Sequence, residues 1–309
     1  MRIALVTPAG PGTRNGNRHT ALRWAAFLRE AGCKVNVCVE WQGEAADLML
    51  ALHARRSHAS IARFSRDKPL VVALTGTDVY RDIRTSAEAR ESLELADRLI
   101  VLQPKAAAEL LSPLRRKVRV VVQSSSTRLR HAPVARKFRV CVIGHLREEK
   151  DPLRIVAALP HVDADIEVIH LGAPLEPMLV PRTEDPRYRW LGSVPHARAL
   201  KWLASSHAMV ISSRMEGGAN VVCEALRIGV PVLASRISGN IGLLGRGYPG
   251  YFPVEDERAL ARLVTRATTH RKFYLELKTW VSRLRPMVAP QAEARALLAA
   301  LKGLKASRQ

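Results

Sequence analysis

Short apolar runs recur along the chain at nearly regular intervals. "RIALVT" at the start is followed by a helical pattern from about Arg18 to Glu30. Then come "KVNVCV", "DLMLALH", "PLVVALTG", "RLIVLQ" and "VRVVVQS", most of them separated by helical stretches such as "AEARESLELA" and "KAAAELLSPL". Continuous apolar runs of this length predict parallel strands covered on both faces. Their alternation with helical patterns predicts βαβ units. From Thr127 to Arg136 the chain reads "TRLRHAPVAR", which is basic, contains Pro133, carries little core material and reads as a linker. The rhythm then restarts with "FRVCVIG", the helix "PLRIVAAL", "IEVIHLG", "YRWLG", the helix "ARALKWLASS", "AMVISS", a helix entered through Gly217, and "VPVLAS". The tail from about Asp256 is mostly helical, broken at Pro286 and Pro290.

Two Rossmann-like, doubly wound α/β domains facing a cleft follow from this rhythm. Their expected spans are 1–130 and 131–280, with a helical tail over 281–309. Ligands of such domains sit beyond the C-terminal ends of the strands. At 309 residues and 47% apolar content, the chain has the size and composition of a folded two-domain protein.

Charge adds a constraint on ligands. With 49 Lys and Arg against 28 Asp and Glu, the formal charge is +21. Such an excess focuses anions into a cleft, and equally suits nucleic acid or an acidic lipid surface. The tryptophans Trp24, Trp41, Trp190, Trp202 and Trp280 are scattered, so they form no stacking stripe for single strands.

Cysteine usage points away from metal and disulfide frameworks. Cys33, Cys38, Cys141 and Cys223 show neither zinc-finger nor CxxC spacing, and Cys38 and Cys141 read as buried small hydrophobes. His53 and His58 in "HARRSH" have no acidic partner in helical register, so no metal is expected. "MRIALVTPAG" reads as a first strand and not a signal peptide, and no segment approaches the length of a membrane span. The expected location is cytoplasmic. No GxGxxG, GxxxxGKS or GxSxG occurs, which argues against a dinucleotide enzyme, a P-loop ATPase and Ser-His-Asp acyl chemistry.

Chemistry concentrates at the predicted strand ends. In "SSRMEGGANVVCEALR", Gly217 and Gly218 lie where a strand becomes a helix. The first amides of a helix have no internal partner and favour an anion, so a diphosphate suits the turn through Ala219 and Asn220. Glu224 lies one turn beyond Asn220, placed to accept two hydrogen bonds from vicinal hydroxyls such as those of a ribose. Glu216 precedes the helix and would face the ligand beyond its phosphates. The competing reading is a tight turn with Glu224 on a solvated face. In "VIGHLREEKDPLR", Arg147 and Lys150 follow a strand that ends at Gly144, before a helix that begins near Pro152 with Asp151 as its cap. A lysine here neutralises a leaving diphosphate; a solvated charge run is the alternative.

The first half offers the loop "PAGPGTRNGNRHT", with Gly12, Arg14, Asn15, Gly16, Asn17, Arg18 and His19 as donors for an acceptor or for the cleft floor. His53 closes one strand, and Thr75, Gly76, Thr77 and Asp78 close another. His53 also reads as a satisfied half-buried histidine, and Asp78 as a helix cap.

At these residues the sequence resembles the two-Rossmann-domain nucleotide-sugar glycosyltransferases of retaining family 4, which have the GT-B fold. The resemblance spans nearly the whole chain. "EGGANVVCEALRIGVPVLAS" matches the donor motif with two glutamates separated by seven residues. It implies that Glu216 lies near the donor sugar, beside Arg214, that the following amides meet the phosphates, and that Glu224 binds the ribose. Lys150 in "REEKDP" matches the diphosphate lysine. His145 stands where the family usually has arginine, with Arg147 as its replacement. The wider fold also implies that the last helices cross back over the first domain, which the apolar seam in "LLAALKGL" permits.

"TPAGPGTRNGNRHTALRWA", "LTGTDVYRDI", "GHLREEKDP" and "SRMEGGANVVCEA", in order and at fitting distances, are similar to the selenosugar synthases of selenoneine biosynthesis. That resemblance implies transfer of a sugar from UDP-N-acetylglucosamine or UDP-glucose to selenophosphate, forming a carbon–selenium bond and releasing UDP. No cofactor is implied. Glu216, Lys150 and His53 become the catalytic candidates, and Arg14, Asn15, Asn17, Arg18, Thr75 and Thr77 the selenophosphate side. Selenium in selenophosphate already carries charge, so positioning and leaving-group stabilisation are expected to dominate. An ordinary hydroxyl acceptor is the nearest alternative. A nucleic-acid-binding protein is the non-enzyme alternative.

Overall fold

The computed structural model describes residues 1–13, 16–64, 67–134, 136–180 and 184–304. The chain divides into two compact units, Met1–Gln123 with Pro290–Gln309, and Ser124–Ala289.

In the first unit, β1 (Arg2–Val6), β2 (Lys34–Cys38), β3 (Leu48–Leu52), β4 (Leu70–Leu74), β5 (Arg98–Val101) and β6 (Val118–Val120) form one sheet in the order β2-β1-β3-β4-β5-β6. Every pairing is parallel. All five residues of β3 and of β4 are buried, as expected of central parallel strands covered on both faces. Strand alternation sorts their side chains into two apolar clusters. Met49, Ala51, Val72 and Leu74 join Ile61, Phe64 and Leu93 on one side. Leu48, Leu50, Leu52, Val71 and Ala73 join Trp24, Leu28 and Leu297 on the other. Cys38 departs from its expected burial: it lies on the edge strand and is half-buried, while Cys141 is buried.

In the second unit, β7 (Phe138–Ile143), β8 (Ile166–Leu171), β9 (Tyr188–Trp190), β10 (Ala208–Ile211), β11 (Val232–Ser235) and β12 (Tyr251–Phe252) form a second parallel sheet, ordered β12-β11-β10-β7-β8-β9. Counted from its own first strand, this is the Rossmann order 6-5-4-1-2-3.

The unit boundaries differ from the expected 130/131 and 280/281, for visible reasons. Backbone bonds tie the expected linker to the second unit: Ser125 N–H to Val288 O, His131 N–H to Ile228 O and Ala132 N–H to Ala204 O. Val281 and Val288 are fully buried there, so the expected tail loses its first nine residues to the second unit. The helix Pro290–Leu301 belongs to the first unit and docks on the helix Gly16–Glu30. Glu293, fully buried, accepts from Arg23 Nε at 2.7 Å and from Trp24 Nε1 at 2.7 Å. Arg98 donates to the carbonyls of Ala300 and Lys302 at 2.6 and 3.0 Å, satisfying the exposed acceptors of that helix end.

Candidate active site

Each sheet reverses its strand order at one point, and ligands of such sheets bind beyond the strand ends at that point. In the second unit the reversal falls between β7 and β10. The loop from Gly144 to Lys150 follows β7, and the loop from Ser212 to Ala219 follows β10. The sequence candidates Lys150 and Glu216 meet here: Lys150 Nζ donates to Glu216 Oε1 at 2.5 Å. Ser213 Oγ donates to the same oxygen at 2.7 Å. The Glu216 side chain is only 8% exposed, against 35% for Lys150, so the lysine is the solvent-facing member of the pair.

The backbone under Glu216 is tightly held. Ser235 Oγ donates to Ser213 O at 2.6 Å, and Asn240 Nδ2 donates to Ser235 O at 2.9 Å. Gly239, in the helix Ser238–Leu244, lies against the Glu216 peptide. A Cβ at Gly239 would stand 2.1 Å from Glu216 O, so only glycine fits.

The β7 loop has its own buried support. A carbonyl only accepts, so His170 Nε2–H donates to Gly144 O at 3.1 Å. Nδ1 of the same ring then accepts from the Tyr188 hydroxyl at 2.7 Å. Burial pushes His170 down to about 4. Gly172 approaches Gly144 so closely that a Cβ there would sit 1.8 Å from Gly144 O. His145 Nδ1 accepts the Ala173 amide at 3.0 Å, which leaves Nε2 as the donor of the neutral ring.

The remaining donor candidates are engaged within the unit. Arg147 pairs with Glu149 at 3.5 Å, and Arg214 with Glu148 at 3.1 Å and Glu255 at 2.6 Å. Asp151 does not cap the following helix. It takes a left-handed φ of 43°, its carboxylate accepts from Arg154 at 2.8 Å, and the helix begins at Arg154. Gly217, Gly218 and Ala219 lead into the helix Asn220–Ile228, with Ala219 as an extended N-cap that contributes no side-chain bond. Glu224 lies on this helix, and its Oε1 is 2.7 Å from His196 Nε2. His196 opens the helix His196–Ala204 and went unnoticed in the sequence, because it is 28 residues from its partner and outside any motif. Ser213 is marked in the sequence by its position three residues before Glu216.

In the first unit the strand order reverses between β1 and β3. Gly12 (φ 84°) sits in a turn closed by Thr13 N–H to Gly10 O at 3.3 Å. Arg14 and Asn15 lie outside the described residues. Gly16, Asn17 and Arg18 open the helix Gly16–Glu30. His53 follows β3, with Nε2 3.2 Å from Thr77 Oγ1. Asp78, fully buried, accepts the amides of Ala54, Thr75, Gly76 and Val79 at 3.2, 2.9, 2.7 and 3.1 Å. Its carboxylate organises the loop, and it takes up the amides of Thr75 and Gly76. Among the described residues, no group of three or more His, Cys, Asp or Glu is placed to hold a metal ion. Among the same residues, no helix is long and apolar enough to cross a membrane.

Comparison with known proteins agrees with this architecture. Residues 137–270 match the family model "Glycosyl transferases group 1". Solved structures similar to the chain include HepE from Anabaena in complex with UDP, at 17% identity and TM-score 0.77, covering 98% of this chain and 100% of that one. A sucrose-phosphate synthase from Thermosynechococcus elongatus is similar at 16% identity and TM-score 0.74, covering 97% and 99%. The chain has the GT-B glycosyltransferase fold. The lipopolysaccharide outer core galactosyltransferase WaaB has it too, at 12% identity and TM-score 0.71, covering 97% and 99%. No curated protein matches the sequence. The second unit of the GT-B chain thus carries a glycosyltransferase domain, and the chain is an enzyme.

Proposed function

We propose that this protein is a UDP-sugar-dependent glycosyltransferase whose second unit holds the donor. One observation carries the reading: Lys150 and Glu216 meet at 2.5 Å where the Rossmann order of the second sheet reverses. A lysine at that place offers its charge to a diphosphate, and the buried carboxylate holds it there until the donor arrives. The amides from Gly217 to Asn220 open a helix and receive the phosphates. Lys150 then neutralises the departing UDP, and Glu216 turns to the sugar. Glu224 accepts the ribose hydroxyls with the oxygen that His196 does not hold. His145 Nε2–H adds a donor where the family that the sequence resembles usually has arginine. The UDP and UDP-glucose held in the HepE structures support a donor of this class.

For the acceptor, the four motifs shared with selenosugar synthases support selenophosphate. Selenium gives its lone pair to the anomeric carbon, the carbon–oxygen bond to the diphosphate breaks, and that pair leaves on UDP. The names of the solved neighbours, a sucrose-phosphate synthase and a lipopolysaccharide galactosyltransferase, favour a hydroxyl acceptor instead, and the comparisons stand behind that second reading. Under either reading the location is expected to be cytoplasmic.

UDP release separates the readings. Wild type is given UDP-N-acetylglucosamine or UDP-glucose with selenophosphate, thiophosphate, or sugar and lipid-linked hydroxyls. Release with selenophosphate alone supports the first acceptor, and release with a hydroxyl alone supports the second. No binding of UDP by wild type, or unchanged UDP affinity and transfer in Glu216→Gln and Glu224→Gln, defeats the donor assignment.

A further inference from the structure

The residue after β3 is held in an unusual way. His53 adopts a φ of 74°, a left-handed conformation that non-glycine residues rarely take. Its backbone is pinned on both sides: His53 N–H donates to Ala73 O at 2.8 Å, and His53 O accepts from Ser57 N–H at 3.1 Å. Strain of this kind persists only where its surroundings enforce it, and it concentrates at functional sites. Here it carries the imidazole from the end of β3 to the loop that follows β4.

The ring's protons are assigned by its partners. Arg56 N–H can only donate, so Nδ1 accepts from it at 3.3 Å. In the neutral ring the hydrogen is then on Nε2, which faces Thr77 Oγ1 at 3.2 Å. The His53 side chain is 4% exposed, and burial lowers its proton affinity; Asp78 raises it, Arg56 lowers it, Asp82 raises it and Arg55 lowers it. With both nitrogens engaged, His53 keeps no lone pair for a substrate proton. Thr77 Oγ, accepting from the ring, keeps its own hydrogen for another acceptor.

The neighbouring carboxylates do not claim that hydrogen. Asp78 is engaged by the amides of Ala54, Thr75, Gly76 and Val79. Asp82 is paired with Arg55 at 3.0 Å and Arg81 at 3.3 Å, and stands 3.8 Å from His53 Nε2. Asp82 is neutralised by its two arginines and Asp78 spends its oxygens on amides, so a Thr77 hydroxyl hydrogen that neither takes suits an anionic oxygen. We propose that His53 is a positioning residue whose Nε2–H fixes the Thr77 hydroxyl as a hydrogen-bond donor to a small tetrahedral oxyanion on the acceptor side. This deepens the functional reading above and rests on it for the word acceptor. It also revises the expected catalytic role of His53, which acts through Thr77 and takes no proton.

Two pairs of full-length variants test it, with inorganic thiophosphate as the calorimetric probe. Gln offers an N–H near the position of Nε2 but no basic nitrogen, and Ser keeps the hydroxyl that Val removes. Thr77→Val and His53→Ala should weaken thiophosphate roughly tenfold, the loss of one charge-assisted hydrogen bond. Thr77→Ser and His53→Gln should stay within about twofold of wild type. UDP affinity on the same preparations should not change in any of them. The proposal is overturned if wild type does not bind thiophosphate, if Thr77→Val binds it as wild type does, or if a folded His53→Gln is as weak as His53→Ala. If changes at His53 unfold the protein, the Thr77 pair decides with His53 intact. Failure of wild type to bind UDP would defeat the donor reading separately, because the thiophosphate arm does not depend on it.

Discussion

Gly239→Ala offers a direct link between packing and chemistry in the second unit. The added Cβ would stand 2.1 Å from Glu216 O and 2.9 Å from both Glu216 C and Glu216 Cβ. Even a weakly bonded carbon–oxygen contact needs about 3.3 Å. Either the helix Ser238–Leu244 or the Glu216 peptide must therefore move by about 1 Å. Overpacking of this sort costs about 1–3 kcal/mol. For a unit of this size each kcal/mol lowers Tm by about 2–4 °C, so a fall of about 2–12 °C is expected. The effect on rate should be larger. Glu216 and Lys150 are matched at 2.5 Å, and a misplacement of about 1 Å in such a site costs about 100-fold. The assay is UDP release at saturating donor, with Tm from calorimetry on the same sample. A variant with wild-type Tm and wild-type turnover would refute the claim that Gly239 holds Glu216 in place.

Other expectations follow from the same contacts. Lys150→Met leaves the Glu216 carboxylate, 8% exposed, with Ser213 but no cation; destabilisation up to about 3 kcal/mol and a turnover loss of about 100-fold or more should appear in denaturation and UDP-release assays. Glu293→Ala removes the buried acceptor of Arg23 and Trp24 and should cost about 3 kcal/mol, read as a lower urea midpoint. His170 is held at about 4, below its ordinary 6.5, so the unfolded chain binds a proton that the folded chain refuses between those values. Its contribution is full above pH 6.5 and is lost as pH falls towards 4, by about 1.4 kcal/mol per unit at most. Burial holds His131 at about 4 as well, so denaturation curves at pH 7, 6 and 5 should fall at least that steeply in wild type, and less steeply by the His170 share in His170→Gln.

The central strands were legible because the chemistry that makes them is local. β3 and β4 are buried on both faces, and such strands read as unbroken apolar runs. Less local features were harder to see. The helix Ser238–Leu244 carries glycine and asparagine in its first turns, which resemble loop, and its Gly239 packs against Glu216 from a distant part of the sequence. β12 is two residues long and has too few positions to show a period. The tail does break at its two prolines: one helix ends at Leu284, and Pro290 opens the last helix, where its missing N–H costs nothing. Asp151 looked like a cap because Pro152 follows it, but Arg154 takes its carboxylate.

The candidate site was legible in part for the same reason. Lys150 and Glu216 sit at the ends of recognisable strands, so topology alone brings their loops together. The support beneath them was not visible. His170 and Tyr188 read as ordinary strand residues, and only pairing of β7, β8 and β9 sets them under Gly144. The His196 contact with Glu224 likewise depends on two helices meeting side by side.

Amide hydrogen exchange with and without UDP tests the donor assignment most directly. Saturating UDP should slow exchange in the segments 144–150 and 212–224, at the ends of β7 and β10. Protection confined to the first unit, or none at a UDP concentration that calorimetry shows to be saturating, would contradict it.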